Sequence, residues 1–219
     1  MDFTIQKQKY LEEISNPENM ESLCSAYLKL SNIYRVSDID SGIIVCNQGL
    51  KSFEQSGDLK YQLKMLAQIG NLYSAKGDFE IADSIFRYGI QYSLANDGIE
   101  IYRLYNNLAN QFHILTQTDS AAYYQRLAIK NNAQLPPHLK AYGYMTMATI
   151  ISDTNLEEEA EIYIDKALEL IPTFKSEMAS LYLFSSIYAE ALFKYALVNP
   201  DFNSIAFENE LTAPSKSFF

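Results

Sequence analysis

The chain has 219 residues, 48% apolar and 20% charged, and its 27 acidic against 17 basic side chains give a net charge of −10. That composition supplies a core and excludes a disordered tail, while the charge disfavours nucleic acid and anionic membrane, both of which are bound by neutralising phosphates with Lys and Arg. Alternating Val/Ile/Thr runs of strand length are missing and no apolar stretch reaches membrane-spanning length, so an all-α fold is expected.

In chain order, Met1 is followed by Asp2 and the polar run Gln6-Lys7-Gln8-Lys9. No signal-peptide core stands there, and a cytoplasmic location is the expectation. Residues 4–15 read as a leading helix, and Asn16-Pro17 reads as an N-cap with Pro at the first helical position of the next one. A helical phrase then recurs with its central small residue at Ser31, Gly70, Ala109 and Ala148, each 39 residues from the next, and a weaker copy follows around Ser185. A fixed period of this size marks a chain that stacks one supersecondary unit. The units run at about 17–57, 58–97, 98–134, 136–172 and 173–212, with a tail over 212–219, as one array over 1–219. Cys24 and Cys46 lack Cys-x-x-Cys spacing and fall in helical patterns, which predicts free core thiols.

The clearest unit has Leu66, Ile69, Gly70 and Tyr73 at i, i+3, i+4 and i+7, one face of a helix. After Gly77-Asp78, Ala82, Phe86 and Gly89 form a second stripe that alternates small and large, so the two helices interlock as an antiparallel hairpin. The fourth unit repeats this with Tyr144, Met147, Ala148 and Ile151, then Ala160, Ile164, Ala167 and Leu168, closed by Pro172. The first unit gives Tyr27, Leu30, Ser31 and Tyr34, then Gly42, Cys46 and Gly49. The third gives Tyr105, Leu108, Ala109 and Phe112, then Ser120, Tyr124 and Leu127, with a hairpin turn one residue short in both the first and the third. Asn155 with Glu158 reads as a capping box, and Gly57-Asp58, Asn96-Asp97-Gly98 and Pro136-Pro137 separate the hairpins.

This order of markers resembles the tetratricopeptide repeat (TPR) family over roughly residues 20–200, in a long-period variant similar to the repeats of kinesin light chains and of Rap-type and PlcR-type peptide receptors. The resemblance implies an α-solenoid of stacked antiparallel helical hairpins, a right-handed superhelix whose first helices line a concave groove. On that register the groove set is Lys29, Asn32 and Arg35, then Lys64, Gln68 and Asn71, then Arg103, Asn106, Asn107, Asn110 and His113. Asn32, Asn71 and Asn110 keep the 39-residue period, with Thr149 in the fourth place. Side-chain amides donate and accept, as an extended peptide backbone requires, and flanking Lys and Arg favour an acidic side chain or a terminal carboxylate. Leu28 and Gln68 stand where the two-carboxylate clamp of some family members has Lys and Asn, so a chaperone-tail receptor is not expected.

No phosphate-cradling glycine loop, H-E-x-x-H or nucleophile elbow occurs, and His138 has no spaced ligand partner, so no enzyme, cofactor or metal is expected. The run Glu157-Glu158-Glu159 suits a helix start. Most of the 17 Tyr and 12 Phe sit at packing positions rather than on a base-stacking surface. Residues 177–198 read as a helix apolar on two faces, and after Asn199-Pro200 a short apolar segment covers only part of it, which favours a homodimer or a downstream domain. The function expected is a non-catalytic scaffold for a protein or peptide segment. The alternatives are a sensory or regulatory module of a longer signalling protein and a type III secretion-type chaperone.

Overall fold

The computed structural model describes residues 3–152 and 157–170, and every regular element among them is an α-helix. The expected fifth repeat at 173–212, the tail, the apolar helix at 177–198, Asn155, Pro172 and Asn199-Pro200 lie outside the described residues. The chain divides into two compact units, Met1–Asn131 and Asn132–Phe219.

The first unit holds α1 (Phe3–Ser15), α2 (Met20–Ser37), α3 (Ile39–Ser56), α4 (Leu59–Lys76), α5 (Phe79–Leu94), α6 (Ile101–Ile114) and α7 (Thr118–Lys130). Each helix packs on the next, and α2 on α4 and α4 on α6 pack as well, so hairpins α2–α3, α4–α5 and α6–α7 stack as an α-solenoid. The cores follow this stacking. Leu63, Ala67, Ala82, Phe86, Leu104 and Leu108 form one buried cluster drawn from α4, α5 and α6, and Leu23, Cys24, Tyr27, Phe53, Tyr61 and Met65 form another from α2, α3 and α4. A hairpin therefore completes its apolar seam only against its neighbour. The Phe53 ring, fully buried, meets Tyr27 edge-on at 6.3 Å and Tyr61 at 5.2 Å.

The turns explain the helix lengths. At the ends of α3 and α4, Gly57 (φ 72°) and Gly77 (φ 93°) take the left-handed conformation, and the amides of Asp58 and Asp78 bond back to the Phe53 and Tyr73 carbonyls. That geometry closes a helix on glycine at little steric cost. Asp38 alone joins α2 to α3, its carboxylate accepting from the Ser41 amide at 3.2 Å, which makes the first hairpin turn short as expected. The Ser41 hydroxyl and amide also hold the Asp38 carboxyl below its ordinary value. Three residues, Leu115 to Gln117, join α6 to α7, so the third turn is not short.

Two further expectations are corrected. The cap of α2 is Asn19, not Asn16-Pro17: Asn19 Oδ1 accepts from the Ser22 amide at 2.9 Å while Ser22 Oγ accepts from the Asn19 amide at 3.1 Å. A reciprocal box satisfies two end donors at once and outcompetes a single cap. In α7 the buried stripe is Ala121, Gln125 and Ala128, one residue on from Ser120, Tyr124 and Leu127. Gln125 stays in that core because its Nε2 donates to Asn106 Oδ1 at 3.2 Å, and Tyr124 is left beside the seam, stacked on Phe112 at 5.4 Å.

Both cysteines are free and buried. Burial pushes the Cys24 and Cys46 thiols up to about 11 from 9.0. A proton held more tightly in the folded than in the unfolded chain stabilises the fold fully below pH 9, and that contribution fades as pH rises through 11. We therefore expect stability to fall by about 2 kcal/mol per thiol across this window, and denaturant titrations of Cys24→Ala and Cys46→Ala to show a shallower fall. Parallel pH profiles for parent and variants would refute this.

The second unit contains α8 (Pro137–Ile151) and α9 (Glu157–Leu170), which pack together as a hairpin. Proline opens α8, where its missing amide proton costs nothing. Met147, Ala148 and Ile151 are buried in α8, as are Ala160, Ile164 and Ala167 in α9, and Tyr144 stacks on Tyr163 at 6.2 Å.

Candidate functional site

The first helices α2, α4 and α6 lie side by side in the first unit and carry the groove candidates, ten besides Asn106. The structure sorts these into three groups. One group stitches the helices together: Gln68 Nε2 donates to Ser31 Oγ at 3.1 Å and to Asn32 Oδ1 at 2.9 Å, from α4 to α2. Asn107 Nδ2 reaches the Ala67 carbonyl at 3.4 Å, from α6 to α4. Ser31 is the small residue of its repeat and is fully buried, its hydroxyl donating to the Leu28 carbonyl at 2.8 Å. A buried amide leaves water only where such partners wait.

The second group consists of cations with internal partners. Lys29 Nζ stands 5.7 Å from the Tyr10 ring of α1. Arg103 Nε binds Glu100 Oε2 at 2.8 Å, and Lys64 Nζ stands 3.9 Å from Glu100 Oε1 and 5.5 Å from the Tyr61 ring.

The third group is open. Asn71 and Asn110 are half-buried and make no side-chain hydrogen bond to a described residue, and His113 is half-buried in the last turn of α6. Arg35 is exposed without an ion pair among the described residues. Asn106 does not belong to this surface: it is 4% exposed and spent on Gln125 inside the α6–α7 hairpin. Thr149 lies in the second unit, on α8.

Three features escaped the sequence reading. Val36, Ala75 and Ile114 are exposed, with Val36 at 77% and Ile114 at 60%, and they keep the same 39-residue spacing one helical turn beyond Asn32, Asn71 and Asn110. They form an apolar strip beside the amide row, and the repeat period alone could have revealed it. Charge is also partitioned. Across α2, α4 and α6 the basic residues are Lys29, Arg35, Lys60, Lys64, Lys76 and Arg103, against Glu21 as the one acid, in a chain whose net charge is −10. Glu100, just before α6, is the third. Among the described residues no group of His, Cys, Asp and Glu could hold a metal ion, and no described helix is long and apolar enough to cross a membrane.

This packing defines an all-α helical-repeat protein. No protein-family model and no curated protein matches the chain. Its fold is similar to the crystal structure of BtubC (BKLC) from P. vanneervenii, with a TM-score of 0.58 and 16% identity over 80% of this chain and 75% of that one. The likeness is one of fold.

Proposed function

We propose that the chain is a non-catalytic, cytoplasmic scaffold of the tetratricopeptide type that binds an extended protein or peptide segment along the α2–α4–α6 face. The observation that carries this reading is the six Lys and Arg against one acid on those helices in an acidic chain: Lys64 and Arg103 meet Glu100 and Lys76 meets Asp40 and Asp78, while Lys29, Arg35 and Lys60 have no ion pair among the described residues. Charge gathered against the overall sign favours a ligand bearing carboxylates and speeds its encounter. Asn71 and Asn110, which make no side-chain hydrogen bond among the described residues, supply donors and acceptors to the segment's backbone, and Val36 and Ile114 offer contact to an apolar side chain. Gln68 and Asn107 hold the platform rather than the ligand.

Short random peptides displayed and selected against the protein supply a measurable ligand. Asn71→Ala and Asn110→Ala should each weaken the selected peptide by about 0.5–1.5 kcal/mol with unchanged helical content. Gln68→Ala, by contrast, should lower the melting temperature. Affinity untouched by both asparagine changes would overturn the assignment.

A further inference from the structure

Two successive hairpins of the first unit are joined in different ways. Gly57-Asp58 suffices between α3 and α4, and Asp58 caps α4 by accepting from the Tyr61 amide at 3.3 Å. Residues 95–100 separate α5 from α6, and three of them, Asp97 (φ 58°), Gly98 (φ 73°) and Glu100 (φ 58°), have left-handed backbones. Glu100 occupies the N-cap position of α6 yet makes no side-chain cap. Its carboxylate turns instead to Arg103 at 2.8 Å and back across to Lys64 of α4 at 3.9 Å, with the Glu100 side chain 15% and that of Lys64 18% exposed. Internal bonds hold the loop in this shape: Asn96 Nδ2 donates to the Tyr92 carbonyl at 2.8 Å, the Gly98 amide to the Ser93 carbonyl at 2.9 Å, and the Ser93 hydroxyl to the Ile99 carbonyl.

A glutamate that accepts an unfavourable backbone and forgoes capping in order to meet two cations is a local cost that folding alone does not require. It places one carboxylate on two cations that stand beside the amide row, Lys64 seven residues before Asn71 on α4 and Arg103 seven residues before Asn110 on α6. Resting on the groove assignment above, we propose that Lys64 and Arg103 form a carboxylate subsite for the ligand segment, and that Glu100 occupies it in the unbound protein as a built-in competitor. Glu100 then sets the acidic selectivity of the groove: a ligand carboxylate gains Arg103 only by replacing it, so weakly acidic segments are rejected.

The test uses a tetraglutamate peptide, acetylated and amidated so that only side-chain carboxylates are present, with tetraglutamine as its neutral counterpart. At low ionic strength Glu100→Gln should bind tetraglutamate about fivefold more tightly than the parent. Glu100→Gly, which suits the φ of 58° and keeps the loop folded, should do the same. Tetraglutamine binding should be equal in all three, and adding Arg103→Gln to Glu100→Gln should abolish the gain. Equal tetraglutamate affinity in the parent and both Glu100 variants, or a gain that survives Arg103→Gln, would overturn the subsite. The two assignments fail separately: Asn71→Ala and Asn110→Ala report on the amide row through the selected peptide and leave the ratio between the Glu100 variants and the parent unchanged.

Discussion

Replacing Phe86 by Ala should destabilise the first unit by about 3–5 kcal/mol, the usual loss for a large aromatic removed from a closed core. Phe86 is fully buried in the cluster that α4, α5 and α6 share, so the hole opens inside the α4–α5 hairpin and at its seam with α6. Neighbouring units then lose part of their coupling, and denaturant melts should broaden as well as shift. A change below about 1 kcal/mol would mean that the seam is not shared as described.

The second large effect involves the partner of that ring. A Cβ on Gly70 would lie 2.4 Å from Phe86 Cε1 and 2.8 Å from Cζ. Alanine in a helix interior ordinarily gains about 1 kcal/mol over glycine, but here the buried ring has nowhere to retreat, and overpacking of this kind costs about 1–3 kcal/mol or more. Gly70→Ala should therefore destabilise the parent by about 1–2 kcal/mol net. In the Phe86→Ala background the obstacle is gone and the added methyl enters the cavity, so the same change should stabilise by about 1 kcal/mol. Equal effects of Gly70→Ala in both backgrounds, measured in a double-mutant cycle, would refute this contact.

The architecture was legible because hairpin interlocking leaves its mark on apolar and small residues, and those repeat. Gly70, Ala82 and Phe86 are buried together because a glycine in one helix admits a phenylalanine from the other. The same reasoning misplaced α7, since a stripe search passes over a polar residue and Gln125 is buried by virtue of a partner, Asn106, that lies on another helix. It placed Asn106 on the binding surface for the same reason. The start of α2 was misjudged because Pro17 is a louder sequence signal than Asn19, although the Asn19–Ser22 box satisfies more donors.

The sequence named the amides of α2, α4 and α6, but not which of them bond across to a neighbouring helix. Nothing in one helix reveals that Gln68 reaches Ser31 and Asn32 or that Asn107 reaches Ala67, because those distances exist only once α2, α4 and α6 pack. Lys64 and Arg103 likewise look like unpaired cations until the loop before α6 brings Glu100 to both.

We propose that a ligand with acidic side chains lies along α2, α4 and α6. It is tested most directly by following side-chain amide resonances while titrating in the tightest peptide selected from a random display. The tightest peptide should be acidic and should shift Asn71 and Asn110 together with the Arg103 guanidinium. A tightest peptide lacking acidic residues, or shifts confined to α3, α5 and α7, would contradict it.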